Sequence, residues 1–144
     1  MLAAVVDTNV LLRALIRTSG SDWQIYENFV AGNLKWFYSR KMIDEFIGTL
    51  AYPRLAKRID FGKINRFLSP IVNFGTLVPA VKTELCRDKD DNEILGVAMV
   101  AAGRNKTAYL ITADQDLLEL KHKIPGVNIL TAADFAVAFL PRRD

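Results

Sequence analysis

Four acidic residues of this chain adjoin apolar segments, where a carboxylate is costly to bury unless it has a partner. Asp7 ends the apolar run AAVV, and Asp114 follows the run YLITA. Asp91 lies in the polar loop CRDKDDN, which opens an Ala-rich run, and Glu45 lies within the apolar segment MIDEFI. Carboxylates in such positions need partners, and one way to supply them is a shared site in which the acids lie together.

The segments around these acids alternate between strand-like and helix-like patterns, which predicts an α/β fold with a mainly parallel central sheet. Because the carboxyl ends of parallel strands lie at one edge of a sheet, we expect Asp7 and Asp114 to meet there. Asp91 and Glu45 should join them. Several carboxylates without a counter-charge repel one another, so a proton or a divalent cation must lie among them.

The composition narrows the choice of metal. With one cysteine, Cys86, and one histidine, His122, a Cys/His zinc site within the chain is excluded. A hard cation with oxygen ligands, Mg²⁺ or Mn²⁺, is the natural choice. Such an ion lowers the pKa of a bound water, which suits phosphodiester hydrolysis. No protein nucleophile is evident, since neither Ser39 nor Ser69 has a plausible histidine base.

Each acid also has a purely structural explanation, because acidic and amide side chains commonly cap the amino ends of helices. The candidate caps are Asp7 or Asn9 for the first helix, Asp90, Asp91 or Asn92 for the Ala-rich helix, and Asp114 for the helix after it.

Apolar periodicity and turn residues define the elements that must position these acids. We predict that Pro53 ends one helix and that Pro70 is a possible break in another. No repeat or linker divides the chain, so residues 1–144 are predicted to form a single domain. The predicted strands cover 2–6, 34–39, 108–114 and 127–130, with 75–80 as a short strand or an extended segment. The predicted helices cover 8–17, 21–32, 40–52, 60–74, 93–105, 115–121 and 131–139.

The bulk composition predicts a soluble globular protein of the cytoplasm. The chain is 51% hydrophobic and 24% charged, and no apolar run reaches the roughly 18–20 residues that span a bilayer. We expect no secretory signal, because the first residues carry no basic segment and Asp7 interrupts their apolar run. The single cysteine excludes an internal disulfide and fits a reducing compartment.

The charge is unevenly distributed along the chain. Residues 35–66 carry eight basic and three acidic side chains, whereas residues 84–116 carry four basic and seven acidic ones. A basic region beside an acidic one suits a protein that attracts a polyanion and holds cations at one point. The alternative is that these charges simply face solvent on helix surfaces.

Four motifs together resemble a known family. VVDTNVLL, MIDEF, RDKDDNEILGVA and LITADQDLL occur in the order and at the spacing of PIN-domain nucleases. The resemblance covers roughly residues 3–135 and is closest to the VapC-like toxins of prokaryotic toxin–antitoxin pairs. It implies a three-layer α/β/α domain.

The resemblance also implies roles for individual residues. Asp7, Glu45, Asp91 and Asp114 match the acids that hold the metal and carry catalysis in that family. Two assignments stay open, since Asp90 adjoins Asp91 and Asp116 rivals Asp114, and the chain has Lys89 where the family often has proline. The polar residues that match positions steadying these carboxylates are Thr8, Asn9, Thr112 and Asp116.

The family further implies an RNA substrate, dependence on Mg²⁺ or Mn²⁺, a homodimer, and inhibition by an antitoxin protein. No membrane partner is expected. Basic side chains in the first half of the chain are candidates for phosphate contacts. They are Arg13, Arg40, Lys41, Arg54, Lys57 and Arg58.

Two other functions compete with a ribonuclease. One is a non-catalytic PIN-like module that binds RNA or protein, which the intact set of acids argues against. The other is a phosphatase with an aspartate nucleophile. Such enzymes usually need a second aspartate two residues after the first, and here that position is Asn9.

Overall fold

The computed structural model describes residues 1–141, so residues 142–144 at the end of the predicted domain lie outside the described residues. Five parallel strands form one sheet in the order β3-β2-β1-β4-β5. The strands are β1 (Leu2–Val6), β2 (Leu34–Tyr38), β3 (Thr76–Leu77), β4 (Ala108–Ile111) and β5 (Val127–Leu130). The predicted α/β fold with a parallel sheet is confirmed.

Helices cover both faces of the sheet, which gives the expected three layers. Along β1, Ala4 and Val6 pack into one apolar core, while Ala3 and Val5 pack into the other. This division follows from the two-residue period of a strand. The helices are α1 (Thr8–Ile16), α2 (Gly20–Val30), α3 (Arg40–Leu50), α4 (Pro53–Ala56), α5 (Phe61–Phe74), α6 (Lys89–Asn105), α7 (Gln115–Leu118) and α8 (Ala132–Phe139).

The central position of β1 explains its sequence. Residues 3–6 are buried because β2 and β4 flank the strand and helices cover both of its faces. The core on one face includes residues of α1, α2, α5 and α8, and the core on the other face includes residues of α6 and α7. Since β1 and β4 are parallel neighbours, their carboxyl ends lie side by side.

The Ala-rich helix begins four residues earlier than the sequence predicted. Asp88 caps α6, and its Oδ1 accepts a hydrogen bond of 2.7 Å from the Asp90 amide. Asp90 and Asp91 therefore lie in the first turn of α6, so their predicted placement in a loop, and their predicted role as caps, were wrong. Asn92 binds the backbone of Cys86 instead.

The two proline predictions have different outcomes. The predicted helix ends before Pro53 as expected, since α3 stops at Leu50, and Pro53 then opens the short helix α4 at a first-turn position where its missing amide hydrogen costs nothing. Pro70 does not split α5, which runs unbroken through it. Buried Phe67, Leu68 and Ile71 anchor α5 in the core on both sides of this proline. Among residues 1–141, no helix has the length and apolar character needed to cross a membrane.

Candidate metal centre

Asp7 lies directly after β1 and is only 5% exposed. Its amide donates a 2.9 Å hydrogen bond to the Ile111 carbonyl, which fixes the residue beside the end of β4. Asp7 occupies the cap position of α1, where burial raises its pKa even though the Thr8 and Asn9 amides lower it. Capping alone therefore does not account for this buried carboxylate.

Thr112 holds the Asp7 carboxylate in place. Its hydroxyl donates a 2.7 Å hydrogen bond to Asp7 Oδ2 and accepts one of 3.0 Å from the Asp114 amide. Thr112 is fully buried. One hydroxyl thus connects the segment after β1 to the segment after β4, and it orients the Asp7 carboxylate at the edge of the sheet.

Asp114 and Asp116 lie at the start of α7. Asp114 caps this helix, since its Oδ1 accepts a 2.8 Å hydrogen bond from the Asp116 amide. The predicted cap at Asp114 is confirmed, but the residue does more than cap. Oxygen atoms of Asp114, Asp116 and Asp91 all lie within 4.8 Å of one another.

Asp91 reaches this group from the first turn of α6 and is 7% exposed. Two local features hold that turn in place. Asp88 caps the helix, and the Asn92 side chain makes two 2.8 Å hydrogen bonds to the backbone of Cys86. Because the preceding loop is fastened to the helix in this way, Asp91 has a fixed position.

Glu45 approaches from α3, which starts after Ser39 at the carboxyl end of β2. The Ser39 hydroxyl accepts a hydrogen bond from the Met42 amide and caps the helix. The Glu45 side chain is half-buried. Burial, followed by the negative charges of Asp90 and Asp7, raises its pKa to about 7, and Lys41 opposes this rise.

The pKa values of the other acids reflect the same crowding. Burial, followed by the charge of Asp114, raises the pKa of Asp91 to about 7. Burial also raises the pKa of Asp7, and Asp114 adds to the effect. The hydrogen bond from Thr112 lowers the pKa of Asp7 but does not cancel the rise. The structure therefore brings Asp7, Glu45, Asp91 and Asp114 into one electrostatic group.

This group fits a divalent cation. Within residues 1–141, one ion pair reaches these acids, a 3.7 Å contact between Arg87 and Asp116 with both side chains substantially exposed. In the described part of the chain, neither of the buried acids Asp7 and Asp91 takes part in an ion pair. The available ligands are carboxylate oxygens, which Mg²⁺ and Mn²⁺ prefer. Asp91, Asp114 and Asp116 are spaced to share an ion, and Asp7 lies close enough for the charge of Asp114 to raise its pKa.

Comparison with known proteins identifies the family. A family model described as the PIN domain matches residues 3–116. The chain belongs to the PIN-domain family. Proteins of this family are generally nucleases, and the acid cluster lies within the matched residues.

This PIN domain is similar in sequence to one curated protein and in fold to one solved structure. The uncharacterized protein MJ1680 of Methanocaldococcus jannaschii is 30% identical over 121 residues, which cover 81% of this chain and 74% of the relative. A chain in the crystal structure of VapBC2 from Rickettsia felis bound to a DNA fragment from their promoter is 16% identical. It superposes with a TM-score of 0.55 over 90% of this chain and 98% of that one, and thus shares the fold.

The remaining polar residues that match the family pattern lie in different environments from one another. Thr8 is buried beside Asp7, and within residues 1–141 its Oγ1 has no hydrogen-bond partner. Asn9 is exposed. Asp116, expected either to steady its neighbours or to replace Asp114 as the fourth acid, lies with its carboxylate among those of Asp91 and Asp114. Because Asp116 is the second residue of α7, its position depends on how the chain turns after β4.

The candidate RNA-contact residues occupy three regions of this PIN domain. Arg13 pairs with Asp22 at 3.1 Å on the α1–α2 surface. Arg40 and Lys41 lie at the start of α3, and Lys41 is close enough to lower the pKa of Glu45. Arg54, Lys57 and Arg58 line a cavity of about 520 Å³ on the α4 side, and Tyr52 and Leu55 complete its lining.

Proposed function

We propose that this PIN domain is a metal-dependent endoribonuclease that hydrolyses RNA phosphodiester bonds with a carboxylate-held Mg²⁺ or Mn²⁺. The observation that supports this most strongly is the triad of Asp91, Asp114 and Asp116, whose oxygens lie within 4.8 Å of one another beside buried Asp7. Such a site is costly without a cation, because burial and like charges both disfavour the ionised carboxylates.

Asp7, Asp91 and Asp114 would hold the ion, with Glu45 and Asp116 completing the set. With Mg²⁺ or Mn²⁺ bound, the site would supply a water of lowered pKa, oriented for attack on phosphorus. The chain itself orients the ligands. Thr112 fixes the Asp7 carboxylate, and groups of this kind commonly change metal affinity by 10–100-fold when removed.

The remaining parts of the proposal rest on family membership. We infer that the protein is the toxin of a toxin–antitoxin pair in the cytoplasm, that it forms a homodimer, and that an antitoxin protein inhibits it. The fold that it shares with a chain of the Rickettsia felis VapBC2 structure is consistent with this role. We also propose that Arg13, Arg40, Lys41 and the basic α4 cavity contact RNA phosphates.

Cleavage of single-stranded RNA by the purified protein tests the enzymatic proposal. We expect cleavage with Mn²⁺ or Mg²⁺, none in excess EDTA, and none by the Asp7→Asn variant. Asp44→Asn is the matched control, because Asp44 adjoins Glu45 on α3 but is exposed. Full activity in EDTA, or an active Asp7→Asn variant, would contradict the proposal. A burst with a covalent aspartyl-phosphate would favour the phosphatase instead.

Growth on expression tests the toxin role separately. Expression of the wild-type chain should slow growth, whereas equal amounts of the Asp7→Asn chain should not. Equal growth of both strains, with RNA cleavage intact in vitro, would remove the toxin role and leave the nuclease in place.

A further inference from the structure

A cleft beside the acid cluster carries three basic residues that the sequence did not indicate as RNA contacts, Lys82, Arg87 and Lys89, together with Lys41, which it did. It has a volume of about 630 Å³ and lies between the start of α3, the loop that precedes α6 and the first turn of α6. This size is typical of ligand-binding sites. Its polar lining comprises Lys41, Lys82, Thr83, Arg87, Lys89 and Asn92, together with Glu84 and Glu93.

The cleft opens onto the acids at several points. Lys41 is close enough to Glu45 to lower its pKa, and Arg87 lies 3.7 Å from Asp116. Asn92 follows Asp91 in the first turn of α6. A polymer that extends from the acid cluster on this side would therefore enter the cleft directly.

The charge of the cleft suits a polyanion. Four cations and two glutamates line it, which leaves a net charge of +2. Of these cations, Arg87 alone takes part in an ion pair within residues 1–141. Lys82 and Lys89 are exposed. Their ammonium groups thus remain available to replace counterions around a nucleic acid.

The wall that carries these cations is fastened to α6. The Val81 amide donates a 3.2 Å hydrogen bond to the Gly96 carbonyl, in the middle of that helix. A Cβ atom at Gly96 would collide with the Val81 carbonyl, so glycine permits this close approach. At the other end of the loop, Asn92 holds the Cys86 backbone. The backbone next to Lys82 and Arg87 is therefore held at the rim of the cleft, and their exposed side chains extend from it.

An RNA strand needs such a rim. Its phosphates are repelled by the acids that would hold the metal, and cations immediately beside those acids compensate for the repulsion. We propose that this cleft binds the backbone phosphates that flank the scissile bond of a single-stranded RNA, with Lys82 and Lys89 as phosphate contacts. This inference rests on the proposed ribonuclease function, and it assigns the path of the substrate on one side of the acids.

The test compares the Lys82→Ala/Lys89→Ala protein with the wild type in binding and in cleavage. Binding is measured by fluorescence anisotropy of a short labelled oligoribonucleotide, and cleavage as KM and kcat with Mn²⁺. Arg104→Ala is the matched control, because Arg104 is an exposed cation on the same helix, 15 residues from Lys89 and thus about 22 Å away. Thermal melting checks that each variant is folded.

Two lost contacts should reduce the slope of log affinity against log salt by about 1.4, since each contact to a single strand contributes about 0.7. If such contacts contribute nothing at about 1 M salt, the double variant binds RNA about tenfold more weakly than the wild type at about 200 mM salt. At about 50 mM salt this difference is larger by a further factor of about seven. KM should rise in parallel while kcat stays unchanged, and Arg104→Ala should behave as the wild type.

Unchanged RNA affinity and salt slope in the double variant would overturn the proposal that the cleft binds RNA. An equal effect of Arg104→Ala would overturn it as well. A cleft that binds an acidic protein segment instead of RNA would give this result. The two proposals fail in distinguishable ways. If the wild-type protein never cleaves RNA, the ribonuclease proposal is refuted. If the wild type cleaves RNA and the double variant is unaffected, only the proposal for the cleft is refuted.

Discussion

Replacing Asp91 with asparagine should stabilise the metal-free protein while abolishing its response to metal. Asp91 is buried against Asp114, and its pKa is raised to about 7 from 3.8. The folded state therefore keeps this proton to a higher pH than the unfolded state does. Stability is lost as the pH rises between those two values, and the loss is complete above about pH 7. Asparagine is neutral at every pH and escapes this loss.

The size of the effect follows from the shift. A displacement of about three pKa units corresponds to about 4 kcal/mol, at about 1.4 kcal/mol per unit. Solvent at the rim of the site screens part of this, so we expect Asp91→Asn to gain about 2 kcal/mol near pH 8 in EDTA. For a chain of this size that is roughly 6 °C in Tm. The gain should shrink toward zero near pH 4, where the aspartate is protonated in the folded state.

Metal should reverse the order of stability. Mn²⁺ at about a hundredfold its Kd adds about 2.7 kcal/mol to a protein that binds it only when folded. The wild type should gain this and Asp91→Asn should not. The assay is denaturant unfolding near pH 8 and near pH 4, in EDTA and in Mn²⁺, with Asp44→Asn as the exposed control. If Asp91→Asn is no more stable than the wild type in EDTA, or if Mn²⁺ stabilises both proteins equally, the reasoning is refuted.

Two further substitutions test the surroundings of the acids. In Glu45→Gln, the metal-free protein should lose less stability than the wild type as the pH rises from about 4.5 to about 7, because the raised pKa of Glu45 is removed. Unfolding curves across that pH range check this, and identical slopes would contradict it. Thr112→Val should cost about 1–3 kcal/mol and weaken Mn²⁺ binding 10–100-fold, since it leaves the Asp7 carboxylate and the Asp114 amide without their shared partner. Calorimetric Mn²⁺ titration checks this, with Thr112→Ser expected to retain most of the affinity.

The fold and the convergence of the acids were predictable because they depend on local patterns. An apolar run that stops at Asp7, and another that leads to Asp114, indicate parallel strands with acids at one edge. An almost wholly apolar Ala-rich helix indicates burial against that sheet. These signals are short-range, and the rules for parallel sheets extend them to three dimensions.

The details that the sequence did not provide depend on how segments are packed. Helix α6 starts at Lys89 because Asp88 caps it, yet several polar residues in that loop were equally plausible caps. The proximity of Asp116 to Asp91 depends on the turn between β4 and α7, which no periodicity encodes. Lys82 and Arg87 line a cleft because the loop docks on Gly96, and this contact joins residues that are distant in sequence.

The central claim is that the acids at the carboxyl edge of the sheet hold a divalent cation. A crystal structure of the protein grown with Mn²⁺, with anomalous data collected at the manganese edge, tests it most directly. The account predicts an anomalous peak within coordination distance of the carboxylates of Asp7, Asp91 and Asp114. Data with no peak among these residues, or with manganese bound only elsewhere on the protein, would contradict it.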